Sequence, residues 1–179
     1  MIAAVAGRQV GAAGDDARFR LVDVPLVRRR IAERLRADGI TVVVAAAANG
    51  ADLLTLDLAA QAGIRRRIVL PMPPELYRTR SVGDRPGSWF EIYDRLIGDA
   101  QAVHDLVVVD VQHGEPGEFE RGNAAILDEA QRLGREGGDE VEALVIWDGA
   151  SRGPTDHTNT FIFEAARRGL AVRAVSTLP

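Results

Sequence analysis

This 179-residue sequence predicts a doubly wound α/β domain: a mainly parallel sheet of five to six strands with helices on both faces. Three observations carry the prediction. Apolar runs with strand character alternate with stretches of helical spacing along the whole chain. The strand runs are continuously apolar rather than alternating, as in a sheet covered on both sides. Glycines close several of the helical stretches, and polar or glycine-bearing segments follow the strands. With right-handed crossovers, these signals describe one domain over residues 1–179.

The elements follow in order. Ile2–Ala6 reads as a short buried strand, trailed by Gly7-Arg8-Gln9-Val10-Gly11 and a polar loop. Asp23 and Pro25 mark the start of a helix whose apolar stripe is Leu26, Val27, Ile31 and Leu35, and Gly39 stops it. Ile40–Ala46 is the second strand and Leu53–Ala62 the second helix, ended by Gly63. Ile64 and Ile68–Leu70 bracket the third strand, with Arg65-Arg66-Arg67 as a solvated link into it; Arg28-Arg29-Arg30 reads likewise as helix surface. Pro71 to Gly87 reads as a long Pro- and Arg-rich loop before a helix over Trp89–Ile97. Leu106–Val109, Ala143–Trp147 and Ala171–Val175 are the remaining strands. Helices over Gly122–Arg135 and Thr158–Arg168 fall between them.

Composition limits the chemistry. There is no cysteine, which removes disulfides, thiolate nucleophiles and zinc–thiolate sites. All 22 basic residues are arginine, so a Schiff-base lysine and a Walker-type lysine are both excluded. Any anion site must use guanidinium forks, backbone N–H groups or helix N-termini. A net charge of −4 and a pI of about 5.4 speak against nucleic acid as a partner. No apolar run approaches the length of a membrane span, and MIAAVAGRQVG lacks a basic region ahead of its apolar residues. No membrane association is expected, and a cytoplasmic location is.

In a doubly wound sheet, ligands bind beyond the carboxyl ends of the strands. Gly7 and Arg8 follow the first strand directly, a tight turn and a guanidinium able to fork onto a phosphate or carboxylate. Gly50 and Ala51 keep a helix start open, with Asn49 or Asp52 as its cap. Tyr77, Arg78, Arg80 and Ser81 precede Trp89 and Tyr93, combining cations with rings on which a base could stack. Asn123 reads as an N-cap, and Gly153, Thr155 and Thr158 form a glycine- and hydroxyl-bearing turn before the last helix. Asp110 and Asp148 are acids at strand ends. His104, His113 and His157 show no metal-ligand spacing, and no nucleophile elbow occurs. Neither a metal nor a cofactor is implied.

Taken together, "AGRQVG", "AAAANGADLLTLDLAAQAGI", "RTRSVGDRPGSWFEIYDRLI", "ERGNAAILDEA" and "ALVIWDGASRGPTDHTNTFIFEAARRG" resemble, in order, the SLOG superfamily of Rossmann-like nucleotide-binding domains. That superfamily includes the Lonely Guy phosphoribohydrolases and the DNA-processing protein A domain. The resemblance implies a bacterial sensor of a nucleotide-derived signal, such as a cyclic ADP-ribose derivative, acting as a homo-oligomer or through an effector partner. It implies that Gly7, Arg8, Gly50, Ala51 and the Gly153–Thr158 turn meet phosphate and ribose, with Arg80, Ser81 and Asn123 as further contacts.

One departure bears on activity. The phosphoribohydrolases carry a PGGxGTxxE element whose glutamate assists cleavage of the base–ribose bond. If Thr158 takes the place of its threonine, Phe161 stands where the glutamate should be. A positioned carboxylate stabilises the cationic transition state of such a cleavage, so its loss favours binding over catalysis. A nucleotide N-glycosidase would need a substitute from Asp148, Glu164 or an acid of the Glu115–Glu120 stretch such as Glu120. Single-stranded DNA binding is the least expected reading.

Overall fold

The computed structural model describes residues 1–11, 18–83, 85–109, 114, 116–153 and 155–179. Asp110, His113 and Glu115 lie outside the described residues.

Six parallel strands form one sheet: β1 (Ile2–Gly7), β2 (Val42–Ala45), β3 (Arg65–Leu70), β4 (Leu106–Val108), β5 (Val141–Trp147) and β6 (Ala171–Ser176). Their spatial order is β4-β3-β2-β1-β5-β6. The chain therefore winds outward from β1 to β4, then returns to the other side of β1, and the order reverses between β1 and β5. Helices α1 (Val24–Ala37), α2 (Ala51–Gln61) and α4 (Trp89–Ala102) pack together on one face. Helices α5 (Glu118–Gly137) and α6 (His157–Arg167) pack on the other. Right-handed crossovers of opposite travel put them there. The return from β4 spans β3, β2 and β1, and 20-residue α5 is long enough to lie across all three.

Local sequence explains most boundaries. Pro25 sits in the first turn of α1, where its missing N–H is harmless, and Val27, Ile31 and Leu35 form the buried stripe. Gly39, Gly63 and Gly169 follow α1, α2 and α6 with φ of 60°, 70° and 75°, the left-handed geometry that ends helices. Helix α2 is buried on nearly every side, which suits its almost uniformly apolar sequence. Its one central acid, Asp57, accepts from Arg28 of α1 at 2.7 Å and from Arg95 of α4 at 2.5 Å, tying three helices together.

Two sequence-based expectations are corrected. Arg65-Arg66-Arg67 is not a link but the first half of β3, paired with Val42–Val44. The triplet is tolerated because β4 begins only opposite Ile68, which leaves the arginine stems free to reach acids. Arg65 and Arg67 both bond Asp105, and Arg66 bonds Asp99. The segment after β3 is also not one long loop, since Pro74–Ser81 forms α3. Pro74 opens it, Glu75 lies in its first turn and Arg78 and Arg80 in its last, the charge order a helix favours. Trp89 and Tyr93 are core residues of α4: the indole donates to the Pro86 carbonyl and the phenol to that of Pro74.

Small side chains sit where elements approach most closely. A Cβ on Gly7 would stand 2.4 Å from the Ile146 carbonyl and 2.5 Å from the Ala51 Cβ. One on Gly50, whose φ is 84°, would meet the Arg8 carbonyl at 2.7 Å. Gly7→Ala is therefore expected to destabilise the protein by roughly 3 kcal/mol, the range for overpacking against backbone. Urea unfolding with an unchanged m-value would measure it.

Candidate functional site

At the carboxyl edge of the sheet, beside the β1–β5 reversal, the described residues enclose a cleft of about 620 Å³. A volume of this order suits a nucleotide-sized molecule. Its inner wall is apolar and buried: Ala6 from β1, Ala46 after β2, Val69 and Pro71 at the end of β3, and the ring of Tyr77 from α3. Its mouth is polar and exposed, with Arg80 from α3, Arg152 and Thr155 from the β5–α6 turn, and His157 opening α6. Phe119 of α5 lies beside that mouth, its ring 5.0 Å from that of His157 and 5.8 Å from the Arg80 guanidinium.

Arg8 has a different role from the one expected. Its Nε donates to Asp148 Oδ1 at 2.8 Å and its Nη1 to Asp156 Oδ1 at 2.6 Å. Its Nη2 donates to Asp156 Oδ2 at 2.9 Å and to the Ala150 carbonyl at 2.6 Å. Four of the five N–H bonds of a guanidinium are thus held by the protein itself. The carboxylates that Arg8 forks onto are internal, so it shapes the cleft wall rather than offering a free charge. Burial works against the charged guanidinium, but the bonds to Asp156 and Asp148 outweigh it and raise its pKa.

Asp156 is the N-cap of α6 and also accepts from the amides of Asn159 at 3.0 Å and Arg152 at 2.8 Å. Burial alone would raise its carboxyl; Arg8 and these two amides overcome burial and hold it down at about 2. The start of α6 is therefore occupied by a carboxylate of the chain. Asp148 is likewise buried, between Arg8 and Arg18, whose Nη1 is 3.3 Å away.

The other expected residues divide by position. Gly7, Ser81 and Asn123 line the cleft, as do Arg80, Thr155 and Thr158. Gly50 and Ala51 do not: they are spent on packing against Arg8–Val10 and Gly7, and the Ala51 amide donates to the Arg8 carbonyl. Gly153 is exposed and lies off the wall. Asn123 is not an N-cap; α5 starts five residues earlier, behind Gly117, and the Asn123 amide bonds the His157 carbonyl at 2.8 Å. Arg80 is paired with Glu118, and Arg78 faces outward onto Asp94 and the Phe90 ring. Asn49 caps nothing, and instead accepts from the Val10 amide and donates to the Ser81 carbonyl.

Among the weak catalytic candidates, Glu164 is bound to Arg167 and Arg168 on the outer side of α6. Asp148 is enclosed by its arginines, and Glu120 stands 3.3 Å from His157 Nδ1 outside the cleft wall.

One cleft residue was read only as a cap. Asp52 lies in the first turn of α2, behind Gly50, and is 8% exposed. Its Oδ2 accepts from the Ala48 amide at 3.3 Å, and the carboxyl lines the inner cleft. Burial pushes it up to about 7, against the one amide that favours its charge. Burial and then the nearby Asp52 charge raise the Tyr77 phenol. The signal available in the sequence is that no arginine occurs three or four residues to either side of Asp52, where a helix partner would stand.

Comparison with known proteins supplies no relative: no family model matches the chain, and no curated protein matches it.

Two outcomes follow from these charges. Arg8→Gln leaves Asp156 without an ion pair and Asp148 with Arg18 alone, and is expected to destabilise by about 3 kcal/mol at neutral pH. Asp156 contributes its stability above the ordinary carboxylate range and loses it as the pH falls through about 2, so the gap to wild type should narrow in acid. Asp52 has the opposite sign: with its folded value raised, it withdraws stability as the pH climbs from about 4 to about 7. Asp52→Asn should therefore stabilise at about pH 8 by roughly 2 kcal/mol, the α2 dipole trimming a larger ideal figure, and by almost nothing near pH 4. Urea titrations across that range check both.

Proposed function

We propose that this protein binds a nucleotide or nucleotide-derived ligand in the cleft at the carboxyl edge of its sheet, as a sensing domain similar to those of the SLOG superfamily. The observation that carries the reading is the two-part lining of the cleft. Its buried inner half is apolar and takes a ring, while its mouth presents arginine and hydroxyl groups at the place where a phosphate or ribose would follow. Arg152 is exposed there and has no ion-pair partner among the described residues. Arg80 lines the same cleft from α3, held by Glu118. An anion placed between them would gain a free guanidinium and share a second.

Binding is favoured over base–ribose cleavage because Glu164 and Asp148 are bonded to arginines and do not line the cleft, and Phe161 is fully buried in α6. Such a sensor would report through a second copy of the chain or an effector.

Proton NMR of AMP, NAD, ADP-ribose and cyclic ADP-ribose mixed with the protein tests this reading. Line broadening with an intact anomeric signal is the expected result. Appearance of free base or nicotinamide would replace the sensor with a nucleotide N-glycosidase. Arg152→Ala and Arg80→Ala should each weaken a phosphorylated ligand about tenfold, the worth of one charge-assisted hydrogen bond.

A further inference from the structure

Eight acids of the described chain are buried, and seven of them are ion-paired to arginine. Asp23 has Arg20, Asp57 has Arg28 and Arg95, and Asp105 has Arg65 and Arg67. Glu118 has Arg80, Glu142 has Arg173, and Asp148 and Asp156 share Arg8. Asp52 alone has none among the described residues. Its carboxyl accepts one hydrogen bond, from the Ala48 amide at 3.3 Å, and the residue lines the inner cleft. A buried carboxyl with a single amide donor and no counter-charge is costly to ionise.

We propose that Asp52 reads the base of the ligand, its carboxyl pairing with a heterocycle edge that offers one acceptor beside one donor, as the N1 and N6-amino edge of adenine does. The inference rests on the nucleotide reading of the cleft and assigns the base specificity to one residue. Ala46, Val69, Pro71 and Tyr77 give the cleft that Asp52 lines its buried apolar wall, which would seat a flat ring inward with its sugar and phosphate toward Arg80 and Arg152. A neutral carboxyl has one O–H donor and one free acceptor, the complement of the adenine edge. Burial keeps that proton on Asp52 up to about pH 7. A carboxylate has acceptors only and would instead suit the guanine edge, which presents two N–H donors.

The ionisable groups around Asp52 leave this switch to Asp52 itself. Tyr77 faces it from α3 and its phenol is raised, so it stays neutral. Arg80, farther along α3, is bound to Glu118, and Arg8 at the end of β1 is bound to Asp148 and Asp156. His157 and Arg152 stand at the exposed mouth, and Arg85, beyond α3, lines the same cleft as a cation that does not titrate near neutral pH. The residues of α5 that line the cleft, Phe119, Gly122, Asn123 and Ile126, carry no titratable group.

The test is the ratio of AMP to GMP affinity at about pH 5.5 and about pH 8.5, a ratio in which the titration of the shared phosphate cancels. The ratio should favour AMP in acid and fall about tenfold or more by the alkaline point. In Asp52→Asn, whose amide keeps one donor and one acceptor without titrating, AMP preference should persist unchanged at both values. Asp52→Ala should lose the preference at both, with the melting temperature confirming that each variant is folded. A wild-type ratio that does not move with pH, or an Asp52→Asn ratio that moves as the wild type does, overturns the role of Asp52 while leaving nucleotide binding intact. Failure of both AMP and GMP to bind the wild type at either pH removes the nucleotide reading, and this inference with it.

Discussion

The buried Arg8 guanidinium is the constraint around which the carboxyl edge of the sheet is arranged. It joins the residue after β1 to the residue after β5 and to the cap of α6, positions 140 and 148 residues apart from it in sequence. Adjacent strands in a reversed order diverge into loops that leave in opposite directions, with the Arg8 amide on the Ile146 carbonyl as the last backbone bond between them among the described residues. A planar fork with bidentate contacts holds those loops together with a defined geometry. Replacing such a cluster with apolar residues of similar volume need not reduce stability, whereas breaking it does. Its value lies in orientation: it sets where the β5–α6 turn, and hence Thr155 and Thr158, meet the cleft.

That latch requires the surrounding backbone to come close. The amide of Arg8 itself donates to the Ile146 carbonyl, and the carbonyl of Arg8 receives the Ala51 amide. Gly7, Gly50 and Ala51 are small because β1, β5 and α2 converge there. The alanine run after β2 continues the same logic, since Ala45 and Ala47 are wholly buried. Only Ala46 and Ala48 of that run reach the cleft. Most of the small side chains therefore serve the contact between elements, and the cleft is the space left beyond it.

The sheet was legible in the sequence because a parallel strand buried on both faces writes itself as a local apolar run. Helix ends were legible because caps and glycine stops are local too. Arg65-Arg66-Arg67 was misread because a charged triplet contradicts that rule; what licenses it is the late start of the neighbouring strand, which is not a local property. Helix α3 was hidden by its flanking prolines, although Pro74, Glu75 and the two arginines at its end form a start and stop pattern. For the cleft, the segments that line it were legible, and the bonds their side chains make were not. Arg8 looks identical in sequence whether its carboxylate is a ligand's or Asp156's, and only the tertiary fold decides. Asp52 was obscured by a correct prior, since acids in a first helical turn are usually caps.

The arginine-only composition turns that exception into an argument. A chain with 22 arginines and no lysine places a guanidinium against seven of its eight described buried acids, including acids such as Asp57 far from any cleft. Many of these pairs are partly exposed and contribute little each, so their number reflects availability more than necessity. Availability makes the unpaired case informative: Asp52 is the one buried acid among the described residues with no arginine against it. A buried carboxyl without a counter-charge lowers stability above its raised pKa. Proteins retain such local conflicts mainly at functional sites, where the group that resolves the conflict is supplied from outside.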